Sequence, residues 1–270
     1  MNILNEYNFS IIIPNYNWWK FIEWCLKSIL NQSYKNYEII IIDWKSTDNS
    51  HYIIERYTKL NDKLIWLKQE DKWISNWFNI WLEKSNWDFI LYLWSDDYIY
   101  DNILWKINEY INHIINYNLL NINEINIFCD SINYWSNKNI FEKRVFPTKK
   151  INNFNLIKYW TLVWLQNIFF NSNWIKSNKL DENNKYSMDY EVYFRMIKDN
   201  QKFINIPEVS SINYQWDNIS CKFWFESWKE AIKVWLKYSK NISEKYFLLR
   251  RLILMYVFRY LIKIKWLLKK

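Results

Sequence analysis

The chain has 270 residues and a formal charge of +8, long enough for one α/β domain with an appendage and a sizeable core. The basic balance favours an anionic partner such as a sugar nucleotide, a lipid surface or a nucleic acid. Cys25, Cys129 and Cys221 are odd in number, far apart and without a CxxC pair, which argues for buried thiols rather than a disulfide or metal framework.

The opening MNILNEYNFS lacks a basic flank followed by an apolar run, so no signal peptide is expected. FSIII at 9–13, stopped by Pro14, reads as a first strand. Asn17 is placed to cap the helix that follows, whose apolar face is Phe21, Ile22, Cys25, Leu26 and Ile29. EIIII at 38–42 is a second buried strand ending in Asp43. A polar loop over 45–50 opens a second helix, 64–68 is a third strand, and 74–84 is a third helix. DFILYLW at 88–94 is almost wholly apolar, as in a central strand covered on both faces, and Asp96 and Asp97 follow it.

This β-α-β-α-β-α-β order predicts a mostly parallel sheet. Beyond it, 102–117 reads as a helix and 125–130 as a strand, with a hairpin allowed in the Asn-rich stretch 131–161. A strand at 164–170, a helix at 188–198 and two short strands at 203–206 and 209–214 follow. Residues 226–240 and 244–268 read as helices. The longest uncharged run in the last of them is 252–258, far short of the roughly 18 residues of a membrane span. Its Arg and Lys among Leu, Ile, Phe and Tyr suit a helix lying on an anionic membrane; packing on the preceding α/β part of the chain or on a partner is the alternative.

One composition value stands out: 20 Trp and no Gly. Ordinary usage of about 7% would give about 19 Gly in a chain of this length. Trp18, Trp19, Trp44, Trp73, Trp87 and Trp94 fall where a turn or a close approach favours Gly. We therefore read most of the Trp as glycine positions, as when a UGA codon that some bacterial lineages decode as Gly is translated as Trp; a genuinely Trp-rich protein is the alternative.

Four polar clusters fall at predicted strand ends, on the carboxyl edge where ligands of open α/β sheets bind. They are Pro14-Asn15-Tyr16-Asn17, Asp43 with Ser46 and Asp48, Glu70-Asp71, and Asp96-Asp97. An Asp after a strand is commonly a turn former or cap. Four such clusters on one edge can take a base, a ribose and a metal-bound diphosphate, since hard carboxylate oxygens suit Mg²⁺ or Mn²⁺.

SIIIPNYN, the run CLKSILNQSYKNYEIIIIDWKSTDNS, and QEDKWISNWFNIWLEKSNWDFILYLWSDD together resemble the family 2 glycosyltransferases. Reading Gly at the Trp positions sharpens the match. It is strong from Ser10 to about Tyr100, looser over 165–214 and absent from the C-terminal helices. The resemblance implies a GT-A fold: Rossmann-like α/β, with a mostly parallel central sheet flanked by helices. It would comprise a catalytic domain over 1–225, followed by amphipathic basic helices over 226–270.

The resemblance also assigns roles. Pro14, Asn15 and Tyr16 would line the nucleotide pocket, Asp43 would bind the nucleobase edge, and Ser46 and Asp48 would lie beside it. Asp71 would sit near base and ribose, and Asn79 in the helix flanking the diphosphate. Asp96 would be the ligand for Mg²⁺ or Mn²⁺, with Asp97 supporting ribose or metal; Trp94 stands where the first Asp of the family's DxD usually is. Asp189 would be the catalytic base, with Glu191 as the second candidate. Leu165-Gln166 replaces the usual His-Gln.

The implied activity is inverting transfer of a sugar from a nucleotide-sugar, expected to be a UDP-sugar, to a glycan or lipid-linked acceptor. The expected place is the cytoplasm, peripheral at the inner face of the plasma membrane, with no nucleic-acid partner. A sugar-nucleotide nucleotidyltransferase and a non-catalytic basic protein binding membrane or nucleic acid are the rivals.

Overall fold

The computed structural model describes residues 4–68, 74–85, 87–117, 120–135, 140–145, 164–215, 223–239 and 241–267. Asp71 and Cys221 lie outside these residues. The first half runs β1 (Phe9–Asn15), α1 (Trp19–Leu30), β2 (Tyr37–Asp43), α2 (Ser50–Leu60), β3 (Leu64–Lys68), α3 (Ile74–Leu82) and β4 (Phe89–Tyr92). Then come β5 (Tyr98–Ile99), α4 (Ile103–Asn116), β6 (Ile125–Trp135), β7 (Ile140–Arg144), β8 (Ile168–Asn171), α5 (Ser172–Ser177) and α6 (Met188–Lys198). The chain closes with β9 (Lys202–Gln215), α7 (Trp224–Tyr238) and α8 (Ile242–Leu267).

The strands form one sheet in the order β3-β2-β1-β4-β8-β6-β9-β5, with β7 paired to β6. β3, β2, β1 and β4 are parallel, as are β6 and β9; β8, β5 and β7 run antiparallel to their neighbours. Alternation along the isoleucine-rich strands divides the interior in two. Ile11, Ile13, Ile39 and Ile41 meet Ile22, Cys25 and Leu26 of α1, Ile54 of α2 and Ile107 of α4. Ile12, Ile40, Ile42, Ile90 and Tyr92 instead face Phe78 of α3, Phe194 of α6 and Trp235 of α7.

The helices beyond residue 225 thus contribute to a core that the sheet also builds. α8 turns Leu248 into it, with the Arg251 guanidinium over the rings of Trp235 and Phe247 at 5.5 and 5.1 Å. Among the described residues no helix is long and apolar enough to cross a membrane.

Local differences from the sequence expectation have identifiable causes. The two short strands expected at 203–206 and 209–214 are one strand, β9. Pro207, which has no N–H to donate, lies where the pairing with β6 slips, between Cys129↔Ile206 and Asp130↔Val209. Residues 165–167 form a 3-10 turn and only Ile168 onward is strand. Asn17 does not cap α1: it sits at φ 56° with its side-chain oxygen accepting the Thr47 N–H, while Asp48 accepts the Trp19 N–H at 3.1 Å.

Glu191, the second candidate base, is buried in the α6–α7 seam. Its carboxylate accepts from Arg195 at 2.7 Å, the Tyr238 hydroxyl at 2.6 Å and Lys237 at 3.3 Å. Removing one member of a buried ion pair strands its partner, so Glu191→Ala should lower stability by about 3 kcal/mol in urea unfolding. A change within a few tenths of a kcal/mol would show that this network does not hold α7 in place.

Candidate functional site

The carboxyl ends of β1 and β2 are registered at Asn15↔Asp43, so these two side chains meet without help from the loops. Asn15 donates its amide N–H groups to Asp43 Oδ1 at 2.8 Å and Ser46 Oγ at 3.1 Å. Ser46 returns its hydroxyl to Asp43 Oδ1 at 2.6 Å, its backbone N–H donates to Asp43 Oδ2 at 3.2 Å, and the Asn17 N–H donates to its Oγ at 2.9 Å. Both turns use a left-handed residue, Asn17 and Lys45. Asp48 joins the loops again by accepting from Trp19 and Ser50. Pro14 is half-buried at the end of β1, and Tyr16 is 51% exposed above the triangle, its ring edge-on to Trp44 at 5.9 Å. Asn15 Oδ1 is buried with no hydrogen-bond partner.

β4 lies beside β1, so its end comes to the same edge. There the chain turns, with the Asp97 N–H bonded to Trp94 O at 3.0 Å, before β5 pairs with β9. Asp97 is only 2% exposed; its Oδ1 accepts the Tyr214 N–H at 2.9 Å, Gln166 donates to the same carboxyl, and Oδ2 is buried without a partner. Burial pushes the Asp96 carboxyl up to about 6. Asp97 is driven well above the usual carboxylate range by burial and then by the Asp96 charge. Cys25 beneath the turn is raised by burial and by both acids, which keeps it a neutral thiol.

Asp189 is in the first turn of α6, half-buried, with its carboxyl pushed up to about 6 by burial. Its Oδ1 accepts the Tyr190 N–H at 2.9 Å. Asn79 is used differently from the other expected residues: its amide bonds Leu180 N and O, both at 2.8 Å, and Glu182 at 3.1 Å. It fastens α3 to the 180–182 segment.

Among the described residues no three His, Cys, Asp or Glu side chains gather as a metal cage. Two adjacent carboxylates with one orphaned oxygen suit a Mg²⁺-like ion that keeps waters and takes phosphate oxygens for its other positions. Sequence reasoning placed Gln166 at the family's His-Gln position without linking it to Asp97, and it missed the Tyr214 backbone that aims Asp97. It also missed the buried set in which Asn167 donates to Ser210 at 2.9 Å and Ser211 at 2.8 Å and accepts from Asn213 at 3.3 Å. No motif marks them; only the period-2 run of polar residues in β9 hints at an inward polar face.

Residues 10–169 match the model of a protein family described as Glycosyl transferase family 2. Glycosyltransferase GlyA of Streptococcus pneumoniae is 28% identical over 172 residues, covering 59% of this chain and 25% of that protein. TarS of Staphylococcus aureus, a poly(ribitol-phosphate) beta-N-acetylglucosaminyltransferase, is 35% identical over 94 residues, covering 34% and 16%. The chain therefore spans a quarter or less of either relative. Among solved structures, TarS in complex with UDP-GlcNAc superposes with a TM-score of 0.63 at 18% identity, over 89% of this chain and 70% of that one. The mannosyltransferase PcManGT of Pyrobaculum calidifontis, in complex with GDP-Man and Mn²⁺, gives 0.63 at 11%, over 89% and 67%. Both likenesses show the same GT-A fold.

A carboxyl whose folded value is raised stabilises the fold below its ordinary value, here 3.8, and loses that contribution as pH rises through about 6. Metal-free protein should therefore melt at a higher temperature near about pH 5 than near about pH 7.5. Asp96→Asn should shrink the difference, and Mn²⁺ should raise melting at the higher pH in the parent but not in the variant. Equal pH dependence in parent and Asp96→Asn would contradict this account of the turn.

Proposed function

The chain belongs to glycosyl transferase family 2, and on that footing we propose that it moves a sugar from a nucleotide-sugar, a UDP-sugar in our reading, to a hydroxyl of a glycan or lipid-linked acceptor with inversion. The observation that carries the reading is a single sheet edge. It holds the Asn15–Asp43–Ser46 triangle and the Asp96–Asp97 turn on adjacent strands, each with a buried oxygen lacking a partner.

Pro14, Asn15 and Tyr16 would form the nucleotide wall, with the Tyr16 ring offering a flat face to the base. Asp43 would hold Ser46 and the loop through Asp48 in register with it, so that Asn15 Oδ1 meets a donor on the base. Asp71 is carried here as a base and ribose residue, and Asn79 as the residue that sets α3 beside the diphosphate. Asp96, with Asp97 behind it, would hold Mg²⁺ or Mn²⁺. When bound, that ion supplies positive charge for the departing diphosphate.

Asp189 would take the proton of the acceptor hydroxyl as that oxygen attacks the anomeric carbon. A carboxylate raised toward neutrality is a better base near pH 7 than an ordinary one. A nucleotidyltransferase would need a Gly-rich, Arg- and Lys-bearing loop after β1, and Asn15-Tyr16-Asn17-Trp18 is not one even with Gly read at 18.

For location we propose the cytoplasmic face of the plasma membrane. α8 carries six Lys and Arg against one Glu, and Tyr246, Leu249, Ile253 and Leu254 are exposed along it.

UDP release from a panel of UDP-sugars with Mn²⁺ is the direct test. We expect turnover that Asp96→Ala and Asp189→Asn each reduce by about 10²–10⁴-fold, with kcat/KM falling below an apparent value near 6 as Asp189 is protonated. Variants that match the parent would remove these residues from the reaction.

We also propose that most of the Trp stand at glycine positions. The described Trp do not occupy positive φ, which falls on Asn17, Lys45, Asn102 and Asn200, so the support comes from space and hydrogen bonding. Trp44 fills the cleft edge between Tyr16 and Trp77. The indole N–H groups of Trp44, Trp66 and Trp81 are buried without acceptors, a cost that established core Trp residues normally avoid. UGA codons are expected at Trp44, Trp77, Trp81, Trp87 and Trp94, and Trp44→Gly should tighten UDP binding in calorimetry. UGG codons at these positions would overturn the idea.

A further inference from the structure

The outer strands carry a second feature beside the carboxylates. β9, β6 and β7 pair so that Tyr214 is registered with Tyr134, and Tyr134 with Phe141. Registered residues on neighbouring strands share a face, and here their rings meet. Tyr134 and Tyr214 have centroids 5.3 Å apart, and Tyr134 stacks on Phe141 at 4.5 Å. Phe21 of α1 extends the row inward, 4.8 Å from Tyr214. Its inner end adjoins the site, because the Tyr214 N–H holds Asp97. Its outer end is open: Phe141 is 61% exposed and Ile140 50%.

We propose that this aromatic ladder is a subsite for a pyranose ring of the acceptor, an assignment that rests on the glycosyl-transfer reading. Position is the first argument. The nucleotide residues belong to β1 and β2, whereas β6 and β9 lie on the other side of β4 in the sheet order. A ligand on the ladder therefore reaches the Asp96–Asp97 turn from the side opposite the nucleotide, as a second substrate must.

Chemistry is the second argument. A pyranose has an apolar C–H face and a hydroxyl rim, and tyrosine matches it with a flat apolar ring and a polar tip at little entropic cost. None of the four rings is a Trp, so the subsite does not depend on how the Trp codons are read.

Saturation-transfer NMR on the full chain tests this with methyl β-glucopyranoside, N-acetylglucosamine and cellobiose as probes. Transfer to the ring C–H protons is expected in the parent. It should be reduced about fivefold in Phe141→Ala and retained in Phe141→Tyr. Phe141 is exposed, so the variant keeps the fold, and a melting curve checks it.

No transfer to any of the three saccharides, or equal transfer in Phe141→Ala, overturns the subsite. Phe141-dependent binding to phosphatidylglycerol vesicles without saccharide transfer overturns it in favour of a membrane face. Phe141-dependent saccharide transfer in a protein that releases no UDP keeps the subsite and sinks the transferase reading instead.

Discussion

Two carboxylates buried side by side resist being charged together, and the carboxyl edge of this sheet is arranged around that difficulty. Asp96 and Asp97 lie in the turn between β4 and β5, where burial favours the neutral acid at both and the Asp96 charge favours it further at Asp97. The fold answers with donors brought from far along the chain. The Tyr214 N–H arrives 117 residues later, and Gln166 comes from the turn before β8. For these to converge, β9 must run beside β6 and reach back to β5, and the 165–167 turn must be pinned by Asn167, Ser210, Ser211 and Asn213. Asp97 Oδ2 remains without a partner among these donors.

The Asn15–Asp43–Ser46 end solves a simpler problem with shorter links. Asn15 and Asp43 are registered neighbours, so a few hydrogen bonds set the geometry of both loops, and none of them depends on the second half of the chain. Each half can thus be ordered by its own contacts, and the β1–β4 pairing brings the two ends to one edge. The family match over residues 10–169 includes that edge and the hairpin of β6 and β7, whereas α7 and α8 lie beyond it.

Much of this was legible in sequence where periodicity is strong and local. The isoleucine runs in β1 and β2, the span of β3 and that of α6 all read directly, because alternation and helical spacing are properties of adjacent residues. The acids at strand ends were legible for the same reason. Gln166 and Tyr214 were not, since their role depends on pairing across the sheet. The two short strands expected at 203–206 and 209–214 are one, because the partner strand absorbs Pro207 as a slip in register. Asn17 looked like a cap, but the competing Thr47 N–H took its side chain. Glu191 looked catalytic by type, and only its Arg195, Lys237 and Tyr238 partners show it to be a tie between helices.

That tie has a mechanical side. Glu191 stands two residues after Asp189 on α6 and grips Lys237 and Tyr238 at the far end of α7. α8 leans on α7 through Arg251 over Trp235, and on its start through Tyr256 against Phe225. The three C-terminal helices are therefore joined in series, from Arg251 and Tyr256 of α8 through Trp235, Phe225 and Tyr238 of α7 to Glu191 of α6.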